Sequence, residues 1–186
     1  MIIQNFILFF IITLLCFFIY VHYSSKNLDV TYVESTIDGH EYLVRNLEDK
    51  QEAADVLATL NALKALGVNI KKNKNLWEVC GNGLGSLRSP DKVLNLGNSG
   101  TGVRLLMGLV SGCDITVSFT GDESLNIRPM KRVLIPLKQS GAEILSNDNK
   151  LPITIKGNKI PIPIKYNSSL SSAQVKSCIL LNGLTS

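Results

Sequence analysis

Two stretches of this chain repeat one another, and the repeat constrains the fold more than any other feature. ALKALGVNIKKNKNLWEVCGNG, Ala62 to Gly83, parallels PLKQSGAEILSNDNKLPITIKGN, Pro136 to Asn158. In each copy a helix ends at a glycine, Gly67 or Gly141, where the left-handed backbone needed to leave a helix carries no steric cost. A short strand follows, Val68 to Lys71 or Ala142 to Ser146, then a polar turn and a second strand that runs to Gly81 or Gly157. Repeated helix-plus-hairpin units predict a modular α/β fold, because no single unit can bury its own apolar face.

Between the copies lies a second ordered pattern. Val93 to Leu96 reads as a brief strand, Gly97-Asn98-Ser99-Gly100 as a tight turn, and Thr101 to Leu109 as a helix. A strand that feeds a glycine turn and a helix leaves backbone N–H groups unpaired at the positive end of the helix dipole, which suits an anion. Ile115 to Phe119 reads as the next strand, and the loop GDESLNIRPM ends it with Arg128 ahead of Pro129, the expected first residue of a helix that reaches Gln139. An arginine fork fits a carboxylate or phosphate in two places at once, where a lysine offers only a point charge. Ile160 to Tyr166 reads as a proline-interrupted edge strand, and Ser171-Ser172 open a last helix with Val175, Ile179 and Leu180 on its buried side. GNGLG at Gly81 to Gly85 has neither dinucleotide nor P-loop spacing and reads as a plain turn.

The front of the chain differs. Met1 to Tyr23 is nearly all apolar and carries no charge from Phe6 to Val21, which approaches the ~20 residues that cross a bilayer. A membrane anchor over residues 1–23 is expected, with a buried core helix as the alternative; no basic leader or small-residue cleavage site marks a removed signal peptide. Lys26 weakly favours a cytoplasmic C-terminal side. Thr31 to Ile37 and His40 to Arg45 flank Asp38-Gly39 and predict a β-hairpin, and Asp49 is the expected cap of a helix through Leu66.

Composition excludes several functions. A net charge of +4 with scattered lysines lacks the dense basic block of a nucleic-acid surface. Cys16, Cys80, Cys113 and Cys178 form no CxxC pair, and only His22 and His40 accompany them, so neither a disulfide, a metal nor another cofactor is expected. Reduced, mostly buried thiols suit a cytosolic face for this part.

The residues LNLGNSGTGVRLLMG, GDESLNIRPM, LPITIKG and SSAQVKS closely resemble 5-enolpyruvylshikimate-3-phosphate (EPSP) synthases over about Asp55 to Ser186. The resemblance implies a partial lobe of an inside-out α/β barrel built from βαβαββ units, of which the chain holds one nearly complete unit with pieces on either side. It also implies transfer of enolpyruvyl from phosphoenolpyruvate to the 5-hydroxyl of shikimate 3-phosphate, with the methylene protonated and phosphate lost from a tetrahedral intermediate. Residue by residue, it places Asn98, Gly100 and Arg128 at phosphoenolpyruvate, Ser172 and Ala173 at the phosphate of shikimate 3-phosphate, and Gln174 towards both. It assigns no catalytic acid or base within this chain. Bland readings compete: a glycine turn at Gly97 to Gly102, a solvated Arg128, and a helix cap at Ser171 or Ser172. Arg104 is expected to brace its helix, and Asp122 or Glu123 to orient Arg128. The family's subclass often carries alanine where Gly100 stands, so the glycine is expected to leave room for the phosphoenolpyruvate mimic glyphosate.

The resemblance stops inside one predicted helix. The family's lysine-serine-arginine loop, of the form GDKSxxHR, does not occur before Asp55; STIDGHEYLVRNLEDKQEAAD is faintly similar to small membrane-anchored proteins. A seam is therefore expected around Glu52 to Thr59, either a gene fusion or an artefact of assembly or gene calling, with 24–54 a foreign hairpin and linker and 55–186 the synthase-like domain. Without that loop and the second lobe, the polypeptide is expected to be inactive. The alternative is a membrane-tethered, non-catalytic protein that carries a relic α/β module.

Overall fold

A computed structural model describes residues 33–35, 41–45, 54–73, 76–80, 83, 86–167 and 172–184. The anchor expected over 1–23 and the cap at Asp49 lie outside the described residues. Among the described residues no helix is long and apolar enough to cross a membrane.

Strands β1 (Val33–Ser35) and β2 (Glu41–Arg45) pair antiparallel, as the Asp38-Gly39 turn predicts. Helix α1 (Ala54–Ala65) leads through Gly67, at φ +94°, into the hairpin β3 (Asn69–Asn73) and β4 (Leu76–Cys80). These four strands form one sheet in the order β1-β2-β4-β3, so β2 lies against β4 with Glu41 opposite Cys80. The second sheet comprises β5 (Leu94–Asn95), β6 (Thr116–Thr120), β7 (Glu143–Asn147) and β8 (Lys150–Lys156), in the order β5-β6-β8-β7.

The two copies of the repeat are visible as α1-β3-β4 and α4-β7-β8, where α4 is Lys131–Gln139. The polar turn of the second copy is a two-residue loop with both Asp148 and Asn149 left-handed, at φ 51° and 54°. That geometry matches the natural twist of a hairpin.

β5 and β6 are parallel, and α2 (Gly100–Ser111) connects them as a crossover. Ten of its residues are buried, among them Val103, Met107 and Val110 at zero exposure, because apolar side chains cover every face. α2 therefore forms the centre of a core that extends from Leu60 and Leu63 on α1 to Phe119, Ile153 and Ile155 on the sheet and Val175 on α5 (Ala173–Gly183). α2 and α5 cross at Gly108, where a β-carbon would stand only 2.2 Å from the Cys178 carbonyl oxygen. Near the far end of the crossing the buried Asn182 amide donates to Ser111 Oγ at 2.9 Å.

Three sequence expectations need correction. Residues 160–166 form no strand: Pro161 and Pro163 remove the donors a ladder requires, Ile160 and Ile162 face outward, and isolated bonds replace a ladder, from Ile160 N to Asn158 Oδ1 at 3.1 Å and from Ile162 N to Ser140 O at 2.9 Å. Leu180 is exposed at 59%, and the buried side of α5 is Val175, Cys178, Leu181 and Asn182 with Ile179 half-covered. The close crossing explains this phase, since only a small side chain such as Cys178 fits towards Gly108. Helix α4 starts at Lys131 with Met130 as its cap, two residues past Pro129.

Candidate functional site

Two loops leave the same end of neighbouring parallel strands, the position at which open α/β sheets commonly bind ligands. The first is the turn after β5, where Gly97 adopts φ +55° and its N–H is held by Asn95 Oδ1 at 2.9 Å. The second, after β6, contains the short helix α3 (Glu123–Asn126), capped by Asp122, whose Oδ1 accepts from Leu125 N at 2.7 Å. Backbone bonds join the loops: Leu96 N donates to Thr120 O and Asp122 N to Gly97 O, both at 2.9 Å.

This junction brings Asn98, Gly100 and Arg128 together. Asn98 Nδ2 donates to Asp122 Oδ2 at 2.9 Å, and Arg128 Nη2 donates to Asn98 Oδ1 and, at 3.3 Å, to Ser124 Oγ. A β-carbon on Gly100 would lie 2.8 Å from Arg128 Nη1 and 3.1 Å from Arg104 Nη1, so two guanidiniums converge on the start of α2. Ser99 flanks the helix start but does not cap it; its hydroxyl is buried without a partner among the described residues.

Ser172, Ala173 and Gln174 lie at the start of α5. Ser172 caps that helix by accepting from Val175 N at 3.5 Å. Gln174 joins the two helix starts: its Oε1 accepts from Arg104 Nη1 and its Nε2 donates to Thr101 Oγ1, at 2.9 and 2.8 Å. Arg104 Nη1 also donates to Gly100 O at 2.9 Å, which is the brace expected of it. Its bond to Gln174 was not legible in the sequence, because it joins residues 70 positions apart.

The electrostatics favour an acid. Burial, followed by the Arg128 and Arg132 guanidiniums, pushes Arg104 below its ordinary value. Among the described residues no carboxylate forms an ion pair with these arginines. An anionic ligand would relieve that repulsion. Asp122 is engaged at both oxygens and is therefore a structural partner rather than a free base. Among the described residues no group of His, Cys, Asp and Glu is placed to hold a metal, and Cys80, Cys113 and Cys178 are free thiols.

Fold and site together define an α/β repeat module that brings two arginines and two helix starts together. The sequence model of EPSP synthase (3-phosphoshikimate 1-carboxyvinyltransferase) matches residues 41–186. The chain belongs to this family. It is 46% identical over 137 residues to 3-phosphoshikimate 1-carboxyvinyltransferase from Rhodopseudomonas palustris, covering 72% of this chain and 31% of the relative. It is 45% identical over 141 residues to that of Methylorubrum extorquens, covering 74% and 31%. The solved EPSP synthase from Acinetobacter baumannii superposes with a TM-score of 0.67 at 40% identity, over 72% of this chain and 31% of that one. The chain thus spans about a third of the length of the relatives it matches.

Proposed function

We propose that the chain carries the phosphoenolpyruvate- and shikimate 3-phosphate-binding segment of a 3-phosphoshikimate 1-carboxyvinyltransferase. The convergence of the Arg128 and Arg104 guanidiniums on Gly100 carries this reading. Arg128, Asn98 and the Gly100 backbone hold the phosphoenolpyruvate anion; Ser172 and the Ala173 amide hold the phosphate of shikimate 3-phosphate at the start of α5. Gln174, tied to both Arg104 and Thr101, sets the spacing between the two ligands. Holding two anions side by side supplies proximity and charge neutralisation, the larger part of what such a bimolecular addition needs. Neither the acid nor the base of the reaction is assigned to residues of this chain, and binding without turnover is the activity proposed for it.

Calorimetric titration tests the reading. Wild-type chain takes up both ligands weakly, Arg128→Ala loses phosphoenolpyruvate alone, and Ser172→Asp loses shikimate 3-phosphate alone. Aspartate caps a helix as well as serine does, so the last variant separates repulsion of phosphate from loss of the cap. No heat with either ligand would overturn the proposal, and release of phosphate from the mixed substrates would overturn the expected inactivity.

A further inference from the structure

Asn98 bridges two groups of opposite hydrogen-bonding character. A carboxylate only accepts and a guanidinium only donates, so an amide between Asp122 Oδ2 and Arg128 Nη2 has one possible orientation, Nδ2 to the acid and Oδ1 to the arginine. Asp122 is itself held: its second oxygen accepts from Leu125 N at 2.7 Å and its N–H donates to Gly97 O at 2.9 Å. The Asn126 side chain closes the loop behind it, accepting from Gly121 N and donating to Gly121 O, both at 2.9 Å.

We propose that Asp122 is a positioning residue of the anion site: it dictates which way the Asn98 amide faces and, through that amide, holds Arg128 Nη2 so that the Nη1 edge turns towards Gly100. The inference rests on the reading of Arg128 and Gly100 as phosphoenolpyruvate contacts. It runs against simple charge, since a carboxylate beside an anion site repels the anion, and removal of its charge should then tighten binding. Orientation of the Asn98 amide by Asp122 predicts the opposite sign.

Asp122→Asn separates the two. Asparagine caps a helix as well as aspartate, so α3 keeps its start and the unfolding midpoint stays close to wild type. With its oxygen on Leu125 N, the new amide turns its NH2 towards Asn98, which must flip and set its own NH2 against the guanidinium. A donor facing a donor near the ligand is expected to weaken phosphoenolpyruvate binding about tenfold. Unchanged or tighter binding of phosphoenolpyruvate by Asp122→Asn would overturn the proposal. A ligand-free measurement accompanies it: the Asn98 side-chain amide signal in a 15N correlation spectrum, assigned with Asn98→Ser, shifts in Asp122→Asn, and an unmoved signal overturns the positioning role. If the wild-type chain binds no phosphoenolpyruvate, the site reading falls, and the Asn98 signal still decides whether Asp122 orients the amide.

Discussion

Replacement of Gly108 by alanine tests the helix crossing that holds the two halves of the site together. The added β-carbon would meet the backbone of Cys178 at 2.2 Å for O, 2.8 Å for C and 2.9 Å for Cα. No rotamer relieves a contact with backbone, so α5 must retreat from α2 by about 1 Å to reach ordinary packing distances. Two terms oppose one another. Alanine gains ~1 kcal/mol over glycine in a helix interior, while overpacking costs ~1–3 kcal/mol and lies near its upper end where the obstacle is main chain. The net is a loss of about 1–2 kcal/mol, which lowers the thermal midpoint by roughly 2–8 °C for a chain of this size. The same retreat pulls Gln174 from Arg104 and Thr101, so the affinity for shikimate 3-phosphate and that for phosphoenolpyruvate should fall together. Circular dichroism melts and calorimetry measure both effects. A midpoint equal to or above wild type would show that propensity outweighs packing and would refute the close-crossing argument.

Gly100→Ala offers a contrast, because its β-carbon meets the ends of the Arg128 and Arg104 side chains and not backbone. Stability should change by less than about 0.5 kcal/mol, while phosphoenolpyruvate binding and its competition by glyphosate weaken; full retention of both in calorimetric competition would contradict the role given to this glycine. Burial pushes the Cys178 thiol from its ordinary 9.0 up to about 12. The folded state therefore keeps a proton that the unfolded chain loses, and stability that is complete below pH 9 should decline as pH rises towards 12. Urea midpoints at pH 8 and pH 10 should show this slope, and Cys178→Ala should flatten it; an identical slope in the variant would refute the assignment.

Much of the architecture was legible in the residues. Gly67 and Gly141 mark the two helix ends and adopt φ +94° and +97°, and the apolar run around Met107 marks the central helix. Loops after adjacent parallel strands had to meet, so Gly100 and Arg128 could be paired from sequence. The phase of α5 was not legible, because Val175, Cys178, Ile179, Leu180 and Leu181 are all apolar and periodicity cannot choose among them; the neighbour at Gly108 makes that choice. The links from Arg104 to Gln174 and from Asn98 to Asp122 span 70 and 24 positions, and only the fold brings such polar groups within reach. Ser99 shows a local rule overridden: a serine ahead of a helix normally caps it, yet this hydroxyl is buried and makes no bond to the first-turn amides.

The place of β2 in the first sheet has a practical corollary for anyone preparing the protein. β2 covers one side of β4 along all five of its residues, with Arg45 opposite Leu76 at the other end of the register. Expression from Ala54 onward would strip that cover and turn β4 into an open, sticky margin able to recruit a strand from another molecule. Clones intended for ligand work should therefore begin upstream of Glu41.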